Sequence, residues 1–168
     1  GGKLSIVSIP PLLHDIVAIH SPTAQEQHVK IELRCPDELP KIQGDPGQLV
    51  QLFVNLLRNA VEAMPGGGTV TIEADRSPVR IGVDSILVRV LDEGGGIDPS
   101  VRAKVFDPFF TTKPAGEGTG LGLSMTHDII VKQHGGRIDV ATEPGQFTEI
   151  TIALPRKSIV SDRERGET

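Results

Sequence analysis

A chain of 168 residues with 38% hydrophobic content is long enough to bury a real core and suits one domain of ordinary size. Its formal net charge of -5 argues against nonspecific nucleic-acid binding and against a polybasic membrane patch. The single cysteine, Cys35, cannot close an internal disulfide and nothing resembles a metal framework, so a reducing, cytoplasmic setting is expected; no apolar run approaches the roughly 18 residues of a membrane span, and no signal peptide is legible.

In chain order, residues 4–9 read as a short strand or as the tail of an upstream element, so residues 1–9 are expected to form a connector. Pro10-Pro11 suits the first turn of a helix with Leu12, Leu13, Ile16 and Val17 on one face. Pro22 is expected to kink or end that helix. Val29, Ile31 and Leu33 alternate with Lys30, Glu32 and Arg34, the pattern of a half-buried strand. Residues 37–40 form a turn, after which Asp45-Pro46 reads as an N-cap followed by proline at the first helical position.

The helix predicted over 46–64 carries an apolar stripe of Leu49, Phe53, Leu56, Ala60 and Met64, widened by Leu52, Leu57 and Val61. Its other face carries Gln48, Gln51, Asn55, Asn59 and Glu62. Asn55 and Asn59 stand four residues apart, so both amides project from one side of the helix, a turn apart. Asparagine costs a helix interior roughly 0.5 kcal/mol against alanine, and a plain solvated face would use Lys, Glu or Arg instead. From spacing alone a site and a solvated face both remain open.

Pro65 and three glycines end that helix. A strand over 69–75 alternates Val70, Ile72 and Ala74 against Thr71 and Glu73, and a loop through Pro78 and Gly82 leads to the apolar run 85–91, read as a buried strand ending at Asp92. Two glycine clusters then bracket a Phe-rich, Lys-containing segment. Gly94, Gly95 and Gly96 follow the strand, and Gly116, Gly118, Gly120 and Gly122 lead into a helix predicted over 121–134. Glycine lets backbone N–H groups approach a ligand closely, and a helix N-terminus favours an anion. Residues 137–141 and 148–154 are two more alternating runs joined by the turn Glu143-Pro144-Gly145, with Ile150, Ile152 and Leu154 facing one way and Pro155 stopping the last strand. Residues 157–168 are a polar tail. This order predicts an α+β two-layer sandwich: a mixed sheet of about five strands covered on one face by about three helices.

Asn55-Leu56-Leu57-Arg58-Asn59-Ala60, Asp92-Glu93-Gly94-Gly95-Gly96-Ile97, Phe106-Asp107-Pro108-Phe109-Phe110 and Gly118-Thr119-Gly120-Leu121-Gly122-Leu123 resemble, in order and interval, the N, G1, F and G2 boxes of one family. That family is the catalytic, ATP-binding domain of two-component sensor histidine kinases, built on the Bergerat fold. The resemblance spans roughly residues 9–155 and is closest to the nitrogen- and oxygen-responsive subset, with its NAVEAM (59–64) and FDPFFTTK (106–113) wording. Glu93 departs from the pattern, which usually has Asn there; the motif's chemistry lies in Asp92 and the glycines, so the position is expected to tolerate change.

The resemblance implies a role for each matched residue. Asp92 would accept a hydrogen bond from the adenine amine, although a lone Asp before glycines also reads as a turn former. Gly94, Gly96 and Ile97 would line the base. Asn59 matches the magnesium-binding asparagine, with Asn55 assisting it or touching phosphate; amide oxygens are hard ligands suited to Mg²⁺. Gly118, Thr119, Gly120, Leu121 and Gly122 would present backbone N–H groups to the phosphates. Phe106, Phe109 and Phe110 would anchor the hinge of an ATP lid and equally read as core anchors. Thr112 and Lys113 would lie in the lid, Lys113 meeting a phosphate or simply solvated, and residues 111–119 are expected to be mobile without nucleotide. Thr148 matches the threonine of the last box and would reach the base through water.

The phosphoacceptor histidine of this family lies in a dimerising helical hairpin, within a His-Glu-x-x-x-Pro-like pattern that does not occur here. His14, His20, His28, His127 and His134 all read as structural, His134 closing a helix before Gly135-Gly136. Residues 10–156 are therefore expected to be a monomeric catalytic domain cut away from its acceptor. ATP and Mg²⁺ are the implied cofactors. The implied partners are its own phosphoacceptor and dimerisation domain and, downstream, a response regulator; nucleic acid and membrane contact are not expected of this domain, although the full-length protein could be membrane-anchored. Two rival readings stand beside this one. A Bergerat ATPase of the gyrase, mismatch-repair or chaperone type carries a glutamate general base at the position of Asn55, and an amide cannot take that proton. A nucleotide-binding regulatory module, including the anti-sigma-factor serine kinases, is the other.

Overall fold

The chain is described here by a computed structural model over residues 4–77, 85–94 and 122–156. Two short strands, β1 (Ser5–Val7) and β3 (Ile42–Gly44), pair antiparallel as a small ribbon. Strands β2 (Val29–Arg34), β4 (Gly68–Arg76), β5 (Ser85–Asp92), β6 (Arg137–Glu143) and β7 (Phe147–Pro155) form the main sheet in the order β2-β4-β5-β7-β6. Among the described strands only the β2–β4 pair is parallel, so the sheet is mixed, as expected.

Period-two alternation gives this sheet two unlike faces. Val70, Ile72, Ala74, Val88, Val90, Ile150, Ile152 and Leu154 turn inward and join one core with the helices. The intervening positions carry charge pairs, Arg34–Glu73 at 3.9 Å and Arg89–Glu149 at 3.7 Å among them. The core is therefore one layer of side chains between the sheet and the helices α1 (Ile9–Glu26), α2 (Pro46–Glu62) and α3 (Gly122–His127), the last continued by a π-helix over Asp128–Gln133. No described helix is long and apolar enough to cross a membrane.

Sequence chemistry accounts for most boundaries. The α2 helix starts where Asp45 Oδ1 accepts the Gln48 N–H at 3.2 Å, with Pro46 fixing the first turn. Leu49, Leu52, Leu56 and Leu57 are at most 2% exposed, and burying each contributes about 1.5–3 kcal/mol before entropy is charged. It ends at Glu62, two residues short of the expected Met64, because Met64 N–H turns back to Val61 O and the glycines begin. Pro22 does not end α1, which runs on to Glu26. Proline removes one N–H, and here the Ser21 hydroxyl donates to Val17 O at 2.6 Å across the same turn. The helix expected over 121–134 divides into an α-helical turn and the π-helix, which the Gly136 N–H closes onto Ile130 O at 2.8 Å.

Candidate functional site

The site grows from the end of the central strand. Asp92 closes β5 on the helix-facing side of the sheet and is 5% exposed. Its Oδ1 accepts the Gly94 N–H at 2.9 Å, a two-residue turn that fixes the carboxylate's rotation. Burial pushes the Asp92 carboxyl above its usual range, opposed by that same N–H. A carboxylate held this way is primed for a donor that repays its desolvation.

The neighbours of Asp92 follow from register. Across the sheet it pairs with Val70 on β4 and with Thr148 on β7, and Thr148 pairs in turn with Thr142 on β6. Thr148 is 8% exposed, so a carboxylate and a hydroxyl share one row on the covered face. Glu93, the departure from the family wording, is exposed.

The α2 helix supplies the second wall. Of the polar residues on its outer side, Gln51 and Glu62 are exposed, whereas Gln48, Asn55 and Asn59 are half-buried along one flank. Gln51 and Glu62 are thus solvated, and the two asparagines only partly so. Gly94 docks the turn after β5 onto the end of this helix: a Cβ there would lie 2.5 Å from Ala63 O, and the Ala63 N–H is in turn bonded to Asn59 O at 3.0 Å. The α2 helix also packs against α3, which opens at Gly122, the last glycine of the second cluster.

The structure joins Asp92 to Gly94 by a hydrogen bond, sets Thr148 across the sheet from Asp92, and places Gly94 against Ala63, at the C-terminal end of the helix that carries Asn55 and Asn59. Gly122 begins α3. Gly96, Ile97, Phe106, Thr112, Lys113, Gly118, Thr119, Gly120 and Leu121, with the lid expected over 111–119, lie outside the described residues. Among the described residues no group of three or more His, Cys, Asp or Glu side chains could hold a metal. Two neutral amides are too few ligands for a resident magnesium ion, but they suit one that arrives on phosphate oxygens and keeps several waters.

Two neighbours of the site carry little mark of it in the sequence. Ala63 meets Gly94 through its carbonyl, which no side-chain signal marks. Thr142 sits symmetrically with Thr148 about the Glu143-Pro144-Gly145 turn, and that hairpin symmetry is its only signal. His134 is structural, as expected: it is 1% exposed, accepts the Asp45 N–H on Nε2 at 3.1 Å and donates Nδ1–H to Ile129 O at 2.7 Å. It thereby ties the π-helix to the N-cap of α2. Of the other histidines, His14 and His28 are exposed and His20 and His127 half-buried.

A family model described as histidine kinase-, DNA gyrase B-, and HSP90-like ATPase matches residues 44–158. The chain is 37% identical over 152 residues to the sensor histidine kinase ZraS of Salmonella typhi, covering 90% of this chain and only 31% of that protein. Full-length ShkA in complex with AMPPNP aligns with a TM-score of 0.78 at 32% identity, over 92% of this chain and 31% of that one. The nucleotide-free catalytic domain of the histidine kinase ThkA aligns with a TM-score of 0.81 at 24% identity, covering 94% and 98% of the two chains, a likeness of fold. ThkA in complex with the response regulator protein TrrA aligns at 0.73 and 22% identity, over 91% and 42%.

Proposed function

The chain belongs to the family of histidine kinase-, DNA gyrase B- and HSP90-like ATPases, and on that premise we propose that it binds Mg-ATP and donates the γ-phosphate to a histidine on a partner helical domain. The single observation that carries this reading is the buried Asp92 carboxylate, in one sheet row with Thr148 and joined through Gly94 and Ala63 to the asparagine flank of α2. ZraS being a sensor histidine kinase, and ShkA having been captured with AMPPNP, support the choice of reaction and of ligand.

In this reading the chain's own residues bind and orient. Asp92 accepts the adenine amine on the oxygen that Gly94 leaves free, and Thr148 lies beside it at the base. Asn59, assisted by Asn55, would hold through amide oxygens a magnesium ion arriving with the triphosphate, which would supply charge neutralisation on the phosphate oxygens. By the family resemblance Gly118, Gly120 and Gly122 would present N–H groups to the phosphates, and Lys113 would add a cation. Positioning and charge neutralisation of this kind are what phosphoryl transfer requires of a protein. No carboxylate stands at position 55 to activate water, so the acceptor is a side chain on another domain rather than water. A response regulator is the further partner, as TrrA is for ThkA.

The test is to incubate the chain with ATP and Mg²⁺, alone and with its own helical-hairpin domain. Alone it should neither label itself appreciably nor hydrolyse ATP at a useful rate. With the hairpin domain it should form an acid-labile, alkali-stable phosphoramidate that Asn55 and Asp92 variants abolish without unfolding. An acid-stable product would move the assignment to the serine kinases, and rapid hydrolysis by the chain alone would move it to the ATPases.

A further inference from the structure

The threonine pair at the β6–β7 hairpin has a direction that the family wording does not supply. Thr142 Oγ1 donates its proton to Phe147 O at 2.9 Å, and Thr142 Oγ1 and Thr148 Oγ1 stand 3.3 Å apart. A hydroxyl has one proton and two lone pairs. With the Thr142 proton committed to Phe147 O, the contact between the two threonines can only be made by the Thr148 proton. The chain of bonds therefore runs from Thr148 to Thr142 to Phe147 O. What Thr148 has left for the rest of the site is lone pairs.

Thr148 is also the cross-strand partner of Asp92. Side chains directly opposite in an antiparallel pair stand about 5 Å apart at Cβ, close enough to share one ligand group. Asp92 Oδ1 is occupied by the Gly94 N–H, so Asp92 offers an acceptor oxygen to the same row. We propose that Thr142, which need not touch the ligand, is a positioning residue that locks the Thr148 hydroxyl as an acceptor and so makes this row selective for an exocyclic amine over a carbonyl. The inference rests on the nucleotide reading above and deepens it. An adenine amine has two hydrogens and can satisfy both acceptors, directly or through one water. A guanine or hypoxanthine ring puts an oxygen at the same place, and that oxygen meets two acceptors with no donor free to turn toward it.

The experiment compares ADP and GDP affinities by calorimetry in the chain and in Thr142→Val and Thr142→Ser. Valine keeps the shape and removes the acceptor, which frees the Thr148 proton to turn toward a carbonyl. The ADP-to-GDP affinity ratio should fall by about three- to tenfold in Thr142→Val, the size of one ordinary hydrogen bond, and return in Thr142→Ser. A purely structural role would weaken both nucleotides together and leave the ratio unmoved. A second measurement needs no substitution: N6-methyl-ADP, which keeps one amine hydrogen, should bind the unaltered chain more weakly than ADP. ADP binding with a ratio unmoved by Thr142→Val, or equal affinity for ADP and N6-methyl-ADP, would overturn this inference alone. A chain that bound no adenine nucleotide would overturn the nucleotide reading and take this inference with it.

Discussion

Asp92 is a group whose environment in the free chain works against its charge. Burial raises its pKa in the folded state, so just above the usual carboxylate range the folded chain holds a proton that the unfolded chain has lost. Stability from this group is thus fully present at low pH and lost as pH rises through the raised value. At neutral pH the ionised, ligand-free carboxylate is a cost. Asp92→Asn should therefore raise the melting temperature of the ligand-free chain at pH 7 while weakening ADP tenfold to a hundredfold, because either rotamer of the amide sets a donor against Gly94 N–H or against the adenine amine. For the same reason, affinity for ADP should fall as pH drops through the raised pKa, which calorimetry across pH 4–7 would read. A variant that lost stability and kept its affinity would contradict both halves. Asn59→Ala should weaken Mg-ATP strongly and leave metal-free ADP nearly unchanged; equal losses with and without Mg²⁺ would remove that residue from the metal. The roles proposed for Asp92 and Asn59 are suggested by residue type, because carboxylate and carboxamide chemistry is written in the sequence. The contact of Ala63 with Gly94 is not, since it is made by a backbone oxygen.

At the scale of elements, the sequence was clearest where one physical rule acted alone. The stripe on α2 and the alternation in β4, β5 and β7 needed only periodicity, and their bounds fell within two residues of expectation. Reading failed where rules competed. Three residues were too few to announce β3, which forms because β1 supplies its hydrogen bonds. Pro22 was expected to kink or end the helix; it does not end it, and the packing of Leu13, Ile16 and Ala24 holds α1 together across it. Proline in a helix interior costs about 3 kcal/mol, so Pro22→Ala should stabilise the chain by roughly 1–3 kcal/mol in urea unfolding. No gain at all would mean that the turn around Pro22 carries no strain. The π-helix was illegible for a different reason: its adjacent Ile129, Ile130 and Val131 satisfy more than one helical period. What fixes it is a contact distant in sequence, since a Cβ on Gly136 would lie 2.2 Å from Ala153 O on β7. Gly136→Ala should therefore force the π-helix off the sheet and destabilise the chain by about 1–3 kcal/mol, as overpacking generally does.

The whole molecule divides its labour between the two faces of one sheet. The covered face holds the core, and at one end of the same row of positions it holds Asp92 and Thr148; the open face holds surface ion pairs. The topology that creates this division was readable as a class, but strand order was not, because adjacency of β5 and β7 depends on which edges meet after the intervening segment. The division makes a prediction about linkage. A ligand bound only by the folded state, at a hundred times its dissociation constant, adds about 2.7 kcal/mol of stability, which for a domain of this size raises the melting temperature by about 5–10 °C. AMPPNP with Mg²⁺ should produce such a shift and the guanine analogue a much smaller one. Arg89→Ala, on the open face and ion-paired with Glu149, removes a surface pair worth about 0–1 kcal/mol and should leave the ligand-induced shift intact. Thr148→Val lies on the next strand but on the covered face, and it should reduce the shift for the adenine analogue. Both variants alter one side chain of the same sheet within a few residues of Asp92. If Arg89→Ala diminished the ligand shift as much as Thr148→Val, the ligand would have to be sensed through the sheet as a whole, and the separation of a binding face from a solvated face would fail.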